Sequence, residues 1–175
     1  MRRAVLLLTG ALLLAGAAAA QDDSAAWRAR EAAAADYNAR TWVRLEAPDG
    51  GYLWVEANDA ARLKAGKPTR RLRILWPDSV EYVPHVGEGV RYMVSEQTWD
   101  CGRKAMTEHN WFFGAEGGLM AERNPEPGEF SDDDLAYRVA CQRLRLSESR
   151  RWTTVAAVLA NEPDGGAPAT DAPGE

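Results

Sequence analysis

Two cysteines and two histidines are the side chains whose reactivity depends most on their surroundings. Cys101 and Cys141 lie 40 positions apart, and neither belongs to a Cys-x-x-Cys pair, so a thioredoxin-type redox role has no support. They form either one disulfide or two free buried thiols. His85 lies in a Gly- and Pro-rich loop and His109 in the middle of a strand pattern, a spacing that does not indicate a metal site. We interpret both histidines as ordinary polar residues.

The acidic residues offer two further arrangements. Glu96 and Glu108 could face one another across a hairpin around Gly102, either as exposed cross-strand acids, which we favour, or as an acid/base dyad. The run 132–134 is all Asp but lacks the alternating ligands and central Gly of a calcium loop, so we interpret it as the start of a helix. The sequence contains no phosphate-loop, nucleophile-elbow or haem motif. We therefore expect no enzyme, cofactor or metal.

The seven tryptophans are many for 175 residues and lie mostly in strand patterns. Trp42 and Trp54 fall on the face opposite the aliphatic residues of their strands. They belong either to a second packed layer, to a surface covered by the terminal helices, or to an aromatic binding face, since tryptophan anchors many interfaces. Trp42 and Trp54 are therefore the candidate binding surface.

The N-terminus predicts the compartment. Residues 1–20 combine Arg2-Arg3, an apolar stretch and small residues before a cleavage site after Ala20, which is typical of a Sec signal peptide. A membrane anchor is the alternative, but the aliphatic run is shorter than the roughly 20 residues that a span needs. The segment has no cysteine for lipid attachment. We expect a periplasmic or secreted protein with no membrane span after cleavage and, in that oxidising compartment, a Cys101–Cys141 disulfide.

The charge balance limits the partners. The net charge is -5, and loss of Arg2 and Arg3 with the signal peptide makes it more negative, which disfavours nucleic acid and anionic lipid. The close basic groups, Arg70-Arg71 with Arg73 and Arg150-Arg151, are interpreted as solvated faces or edges. The expected partner is a protein or another envelope or extracellular component, and a homodimer through a sheet edge or the Trp152 helix is possible.

The period of the apolar residues indicates an α+β fold. Residues 41–56 alternate around the turn 48–51 and predict a β-hairpin, and a third strand ends at Pro77. Segments 90–100 and 103–113 predict two longer strands, followed by a short strand at 119–122. The result is an antiparallel sheet of about five to six strands.

Helical patterns flank this sheet. Ser131 is the expected N-cap of a helix that places Ala136, Val139, Ala140 and Leu144 on the sheet. The predicted domains are a signal peptide (1–20), an Ala-rich leader that is helical or mobile (21–40), the sheet-and-helix domain (41–146), an additional C-terminal helix (147–160) and a disordered tail (161–175).

The order of these elements resembles the surface-adhesin protein E family of bacterial exported envelope proteins over about residues 41–141. The resemblance is carried by Tyr52-Leu53-Trp54-Val55-Glu56, by Thr98-Trp99-Asp100-Cys101 and by a downstream helix that ends in Ala140-Cys141. It implies an antiparallel sheet backed by a C-terminal helix that a disulfide tethers. It also implies a non-catalytic, adhesin-like binding protein. The alternatives are an envelope structural or stress-related protein and, least favoured, a small periplasmic hydrolase.

Overall fold

The computed structural model describes residues 25–66, 71–77, 82–129, 134–142 and 144–161. The predicted signal peptide, Ser131 and nearly all of the predicted tail lie outside these ranges. The chain divides into two compact units, residues 1–34 and Ala35–Glu175. In the first unit, residues 25–34 are helical, and Arg30 lies over the ring of Trp27 at 6.0 Å. Among the described residues, 25–38 are helical and are called helix α1 below, so the Ala-rich leader is helical over most of its length.

The second unit is built on an antiparallel sheet in the order β10-β1-β2-β3-β6-β7-β8, with β9 paired to β7. A separate two-stranded ribbon is formed by β4 and β5. The strands are β1 Trp42–Glu46, β2 Tyr52–Glu56, β3 Arg71–Pro77, β4 Tyr82–Val83, β5 Gly87–Glu88, β6 Tyr92–Asp100, β7 Ala105–Phe113, β8 Leu119–Arg123, β9 Gly128–Glu129 and β10 Ser147–Trp152. The helices after α1 are α2 Ala57–Lys64, α3 Leu135–Ala140 and α4 Val155–Asn161.

The turns explain why the strands pair locally. In the first hairpin Ala47 N donates to Gly51 O at 2.7 Å, and Gly50 has φ +89°, a conformation that glycine adopts without strain. In the turn after β6, the Asp100 carboxylate accepts from the backbone N–H groups of Gly102 and Arg103, each at 3.1 Å. Both predicted hairpins are therefore confirmed.

One face of the sheet carries the aliphatic core, against which α2 and α3 pack. Its buried members are Val43, Leu45, Leu53, Val55, Ala60, Leu72, Ile74, Trp99, Ala136, Tyr137, Val139 and Ala140. Because side chains alternate between the two faces of a strand, the aliphatic residues of β1 and β2 all lie on this one face. The predicted fold class, an antiparallel sheet packed by a disulfide-tethered helix, is confirmed.

The predicted start of the late helix is corrected. Helix α3 begins at Leu135, where the Asp134 carboxylate accepts from Tyr137 N at 3.0 Å and caps the first turn. The helix ends at Ala140, so Leu144 packs against the core from the following segment. The acidic run does contribute a cap, through its last residue.

The predicted helix over 147–160 is half wrong. Residues 147–152 form strand β10, which pairs antiparallel with β1 at the sheet edge, with Trp42 opposite Trp152, and only Val155–Asn161 is helical. The strand is explained by its backbone bonds to β1 rather than by apolar alternation, because its side chains are mostly exposed. The sheet accordingly has more strands than predicted.

Candidate functional site

The disulfide joins the turn after β6 to the end of α3. Cys101 and Cys141 have an S–S distance of 1.98 Å and a Cα–Cα distance of 5.5 Å. The predicted pairing is confirmed. The bond fixes Cys141, the residue that follows α3, against the β6–β7 end of the sheet.

The candidate binding surface, Trp42 and Trp54, is not exposed. Their side chains are 0% and 2% exposed, and Trp42 Nε1 donates to Tyr37 O at 3.3 Å. Both therefore belong to a second packed layer on the face opposite the aliphatic core. The aromatic binding face is corrected on this ground, because a buried side chain cannot meet a partner.

On the same face a row of charged residues crosses four strands. We call this set the charged row: Glu56 on β2, Arg73 on β3, Glu96 on β6 and His109 on β7. The register places Glu96 opposite both Arg73 and His109. Strand pairing therefore brings together residues that are far apart in the sequence.

Arg73 joins the two buried carboxylates of the charged row. Its Nε donates to Glu96 Oε1 at 2.8 Å, and its Nη1 donates to Glu56 Oε2. Glu96 also accepts from Tyr37 Oη at 2.9 Å and contacts the Arg71 guanidinium. The expectation of a solvated face is therefore corrected for Arg73, whose side chain is 25% exposed, whereas the Arg71 side chain is 55% exposed. Burial raises the pKa of the Tyr37 phenol, although Arg73 and other arginines oppose the shift.

The histidine of the row has its own partners. His109 Nε2 bonds the Glu122 carboxylate, and its ring stacks on Trp111 with centroids 3.8 Å apart. His85 lies elsewhere, exposed in the β4–β5 turn. Within the described ranges, no group of three His, Cys, Asp or Glu side chains could hold a metal ion.

The two acids expected to face one another do not. Glu96 lies opposite His109, whereas Glu108 lies opposite Gln97, whose Nε2 donates to Glu108 Oε1 at 2.7 Å. Because Glu96 and Gln97 are consecutive in a strand, Glu96 and Glu108 extend from opposite faces of the sheet. A shallow depression of about 170 Å³ beside the row is lined by Arg71, Glu96, Thr98, Thr107, Glu108 and His109.

A larger groove lies on the other face, between the end of α2 and the end of α3. Its volume is about 630 Å³, within the range of ligand pockets. We call it the α2–α3 groove. It is lined by Leu45, Leu63, Lys64, Ala65, Gly66, Val139, Ala140, Leu144, Arg145 and Leu146.

The charged residues of the groove lie on its rim. Lys64 pairs with Glu148, which also accepts from Arg151 Nε at 2.9 Å. Hydrogen bonds from Arg151 and Lys64 lower the pKa of the Glu148 carboxyl to about 2. Arg145 is exposed, and among the described residues it has no hydrogen-bond or ion-pair partner.

The groove was missed by reasoning from the sequence. A local signal exists in Leu144-Arg145-Leu146, where apolar residues flank a cation. Residues 144–146 form part of a groove only because α2 and α3 lie on either side of them. This arrangement is a feature of the tertiary structure.

No family model matches the chain, and searches of curated proteins and of solved structures likewise find no match. In the part of the chain that the structure describes, no helix is long and apolar enough to cross a membrane.

Proposed function

We propose that the chain is a non-catalytic binding protein, exported to the periplasm or secreted, of the kind that the surface-adhesin protein E resemblance implies. The observation that carries the proposal is the α2–α3 groove. It is a concave surface with a mixed polar and apolar lining. On its rim lies Arg145, a cation without a hydrogen-bond or ion-pair partner among the described residues. Such a combination is typical of ligand sites, in which apolar lining supplies affinity and few polar groups supply orientation.

The disulfide supports both the export and the binding parts of the proposal. Disulfides persist in oxidising compartments and are rare in the cytosol. Cys141 directly follows Val139 and Ala140, which line the groove, so the bond holds one wall of the groove in place. A preformed wall reduces the ordering cost of binding.

The charged row favours a structural role over catalysis on the opposite face. Glu56 and Glu96 are 4% and 5% exposed. Arginine side chains contact both carboxylates, and Tyr37 also donates to Glu96. Each of these groups is neutralised by its neighbours, as in a buried ion-pair network that specifies a fold. A reactive base or nucleophile instead needs access to substrate.

The test is a thermal-unfolding screen against lipid and protein fractions of envelope extract, with the oxidised chain from residue 21 onward. Ala65→Trp fills the groove from an exposed position, and Ala61→Trp, exposed on α2 but outside the groove lining, is the matched control. A ligand at 100 times its Kd should raise the Tm by about 5–10 °C. We expect the shift for the native chain and Ala61→Trp, and its loss for Ala65→Trp.

Two results would contradict the proposal. One is that no fraction shifts the Tm, or that Ala65→Trp responds like the control. The other is turnover of an extract component that His109→Ala abolishes, which would assign an enzymatic activity to the charged row.

A further inference from the structure

We infer that the α2–α3 groove binds a single-chain anionic amphiphile, an unbranched aliphatic carboxylate whose chain lies on the apolar floor and whose head group meets Arg145. This inference rests on the proposed binding function and names the ligand class. Three features of the groove carry it: the nature of its floor, its size and its charge.

The floor is aliphatic and is contributed by three separate elements. Leu45 of β1 is 1% exposed and Val139 of α3 is 2% exposed, so they form a fixed base. Leu63 and Leu144 are half-buried on either side, so apolar surface remains accessible there. An alkyl chain would remove this surface from water without requiring any polar partner.

The volume is sufficient for a thin ligand. The groove offers about 630 Å³. An extended aliphatic chain, whose cross-section is much smaller than the about 10–12 Å of a helix with side chains, fits this space.

The rim of the groove is positively charged and therefore favours an anionic ligand, although the chain as a whole has a net charge of -5. Glu148 is shared between Lys64 and Arg151, so these three groups together retain one positive charge. Arg145 adds a second charge. Glu46, which lies with Arg145 in an adjoining depression, is already paired with Arg44 at 3.2 Å. A carboxylate would therefore meet the Arg145 guanidinium, which has no ion-pair partner among the described residues and whose planar geometry suits a carboxylate.

The experiment measures binding of dodecanoate and of dodecan-1-ol, below the concentrations at which they aggregate, to the oxidised protein by calorimetry. Arg145→Gln removes the rim cation, and Arg150→Gln, an exposed position of β10 outside the groove lining, is the matched control. Because a hydrogen bond to a charged group contributes more than a neutral one, we expect about a tenfold loss of dodecanoate affinity in Arg145→Gln alone. We expect the alcohol to bind the native protein at least about tenfold more weakly than the acid.

Equal binding of acid and alcohol, or an unchanged affinity in Arg145→Gln, would overturn the inference. So would a hydrophobic peptide with a free C-terminal carboxylate binding where dodecanoate does not, or a dimer that Ala65→Trp dissociates, since either assigns the groove to another occupant. In each case the proposed binding function still stands if Ala65→Trp abolishes the thermal shift by envelope extract. If extract and dodecanoate both fail to bind, the two proposals fail together.

Discussion

Arg73 is the residue on which the charged row depends, because it contacts both buried carboxylates. Its replacement by Met keeps a long apolar side chain but leaves Glu56 and Glu96 without their shared cation. We expect Arg73→Met to lower the free energy of unfolding by about 2 kcal/mol, measured by urea denaturation, because Arg40 still pairs with Glu56 and Arg71 with Glu96. Arg103→Met, at an 86% exposed side chain, is the control and should change stability by less than about 0.5 kcal/mol. Equal stability of the two variants would show that the row contributes nothing to folding.

Glu148 gives a prediction for acid pH. Its folded pKa of about 2 is lower than its ordinary value of 4.5, so folding favours the charged form. The stabilisation is complete above pH about 4.5 and disappears as the pH falls towards 2. The native chain should therefore be more stable than Glu148→Gln near neutrality, by less than about 1 kcal/mol for this half-exposed pair, with the difference shrinking through that window. A difference that grows on acidification would contradict the ion pair.

Single residues were predicted from the sequence only where local chemistry decides them. The Cys101–Cys141 bond follows from two cysteines and an expected compartment. The burial of Trp42 could not be decided, because alternation places a side chain on a face without telling what covers that face. The partners of Glu96 depend on how β6 is aligned with both β3 and β7. The two predicted hairpins, β1–β2 and β6–β7, do not specify the alignment of β6 with β3.

At the scale of elements, the turn between β7 and β8 holds the end of α1. Asn38 Nδ2 donates to Gly117 O at 2.9 Å, and Asn38 also bonds the Tyr92 hydroxyl. Gly117 has φ +80°, and a Cβ there would lie 3.0 Å from Asn38 Nδ2. The α1 end and this turn are thus closely fitted to one another.

We expect Gly117→Ala to lower the free energy of unfolding by about 1–2 kcal/mol, since it adds both backbone strain and a close contact. Gly118→Ala is the matched control, because a Cβ at Gly118 has no neighbour within 4 Å among the described residues. Thermal unfolding of both variants checks this. A control that loses as much stability as Gly117→Ala would assign the effect to the flexibility of the turn rather than to the contact.

Elements with a strong apolar period were predicted well, and the others were not. The hairpins of β1–β2 and β6–β7 carry alternation and turn residues, and both formed as expected. Strand β10 reads Ser-Glu-Ser-Arg-Arg-Trp and has no alternation, so the i, i+3 spacing of Trp152 and Val155 wrongly extended the helix over it. Its strand conformation comes from pairing with β1, a tertiary interaction that overrides local preference.

At the scale of the whole molecule, the disulfide determines how much stability the protein loses on reduction. Closing a loop of 40 positions should contribute about 4 kcal/mol in the chain-entropy model. We expect reduction, or Cys101→Ser with Cys141→Ser, to lower the urea midpoint accordingly and to weaken ligand binding in the groove. The serine variant tested with and without reductant is the control, and it should not respond. Two alkylatable thiols in the non-reduced protein would contradict the expectation.

Strand order also determines when the sheet can be completed during folding. Ser149 of β10 bonds the backbone of β1 at Arg44, which lies 105 residues earlier in the chain. Contacts between residues so far apart in sequence form slowly, because a long loop must close first. Until then the outer edge of β1 is open, and an open strand edge is a template for pairing between chains. The folding chain is thus most prone to aggregate before its residues 147–152 pair with β1, whatever the finished molecule binds.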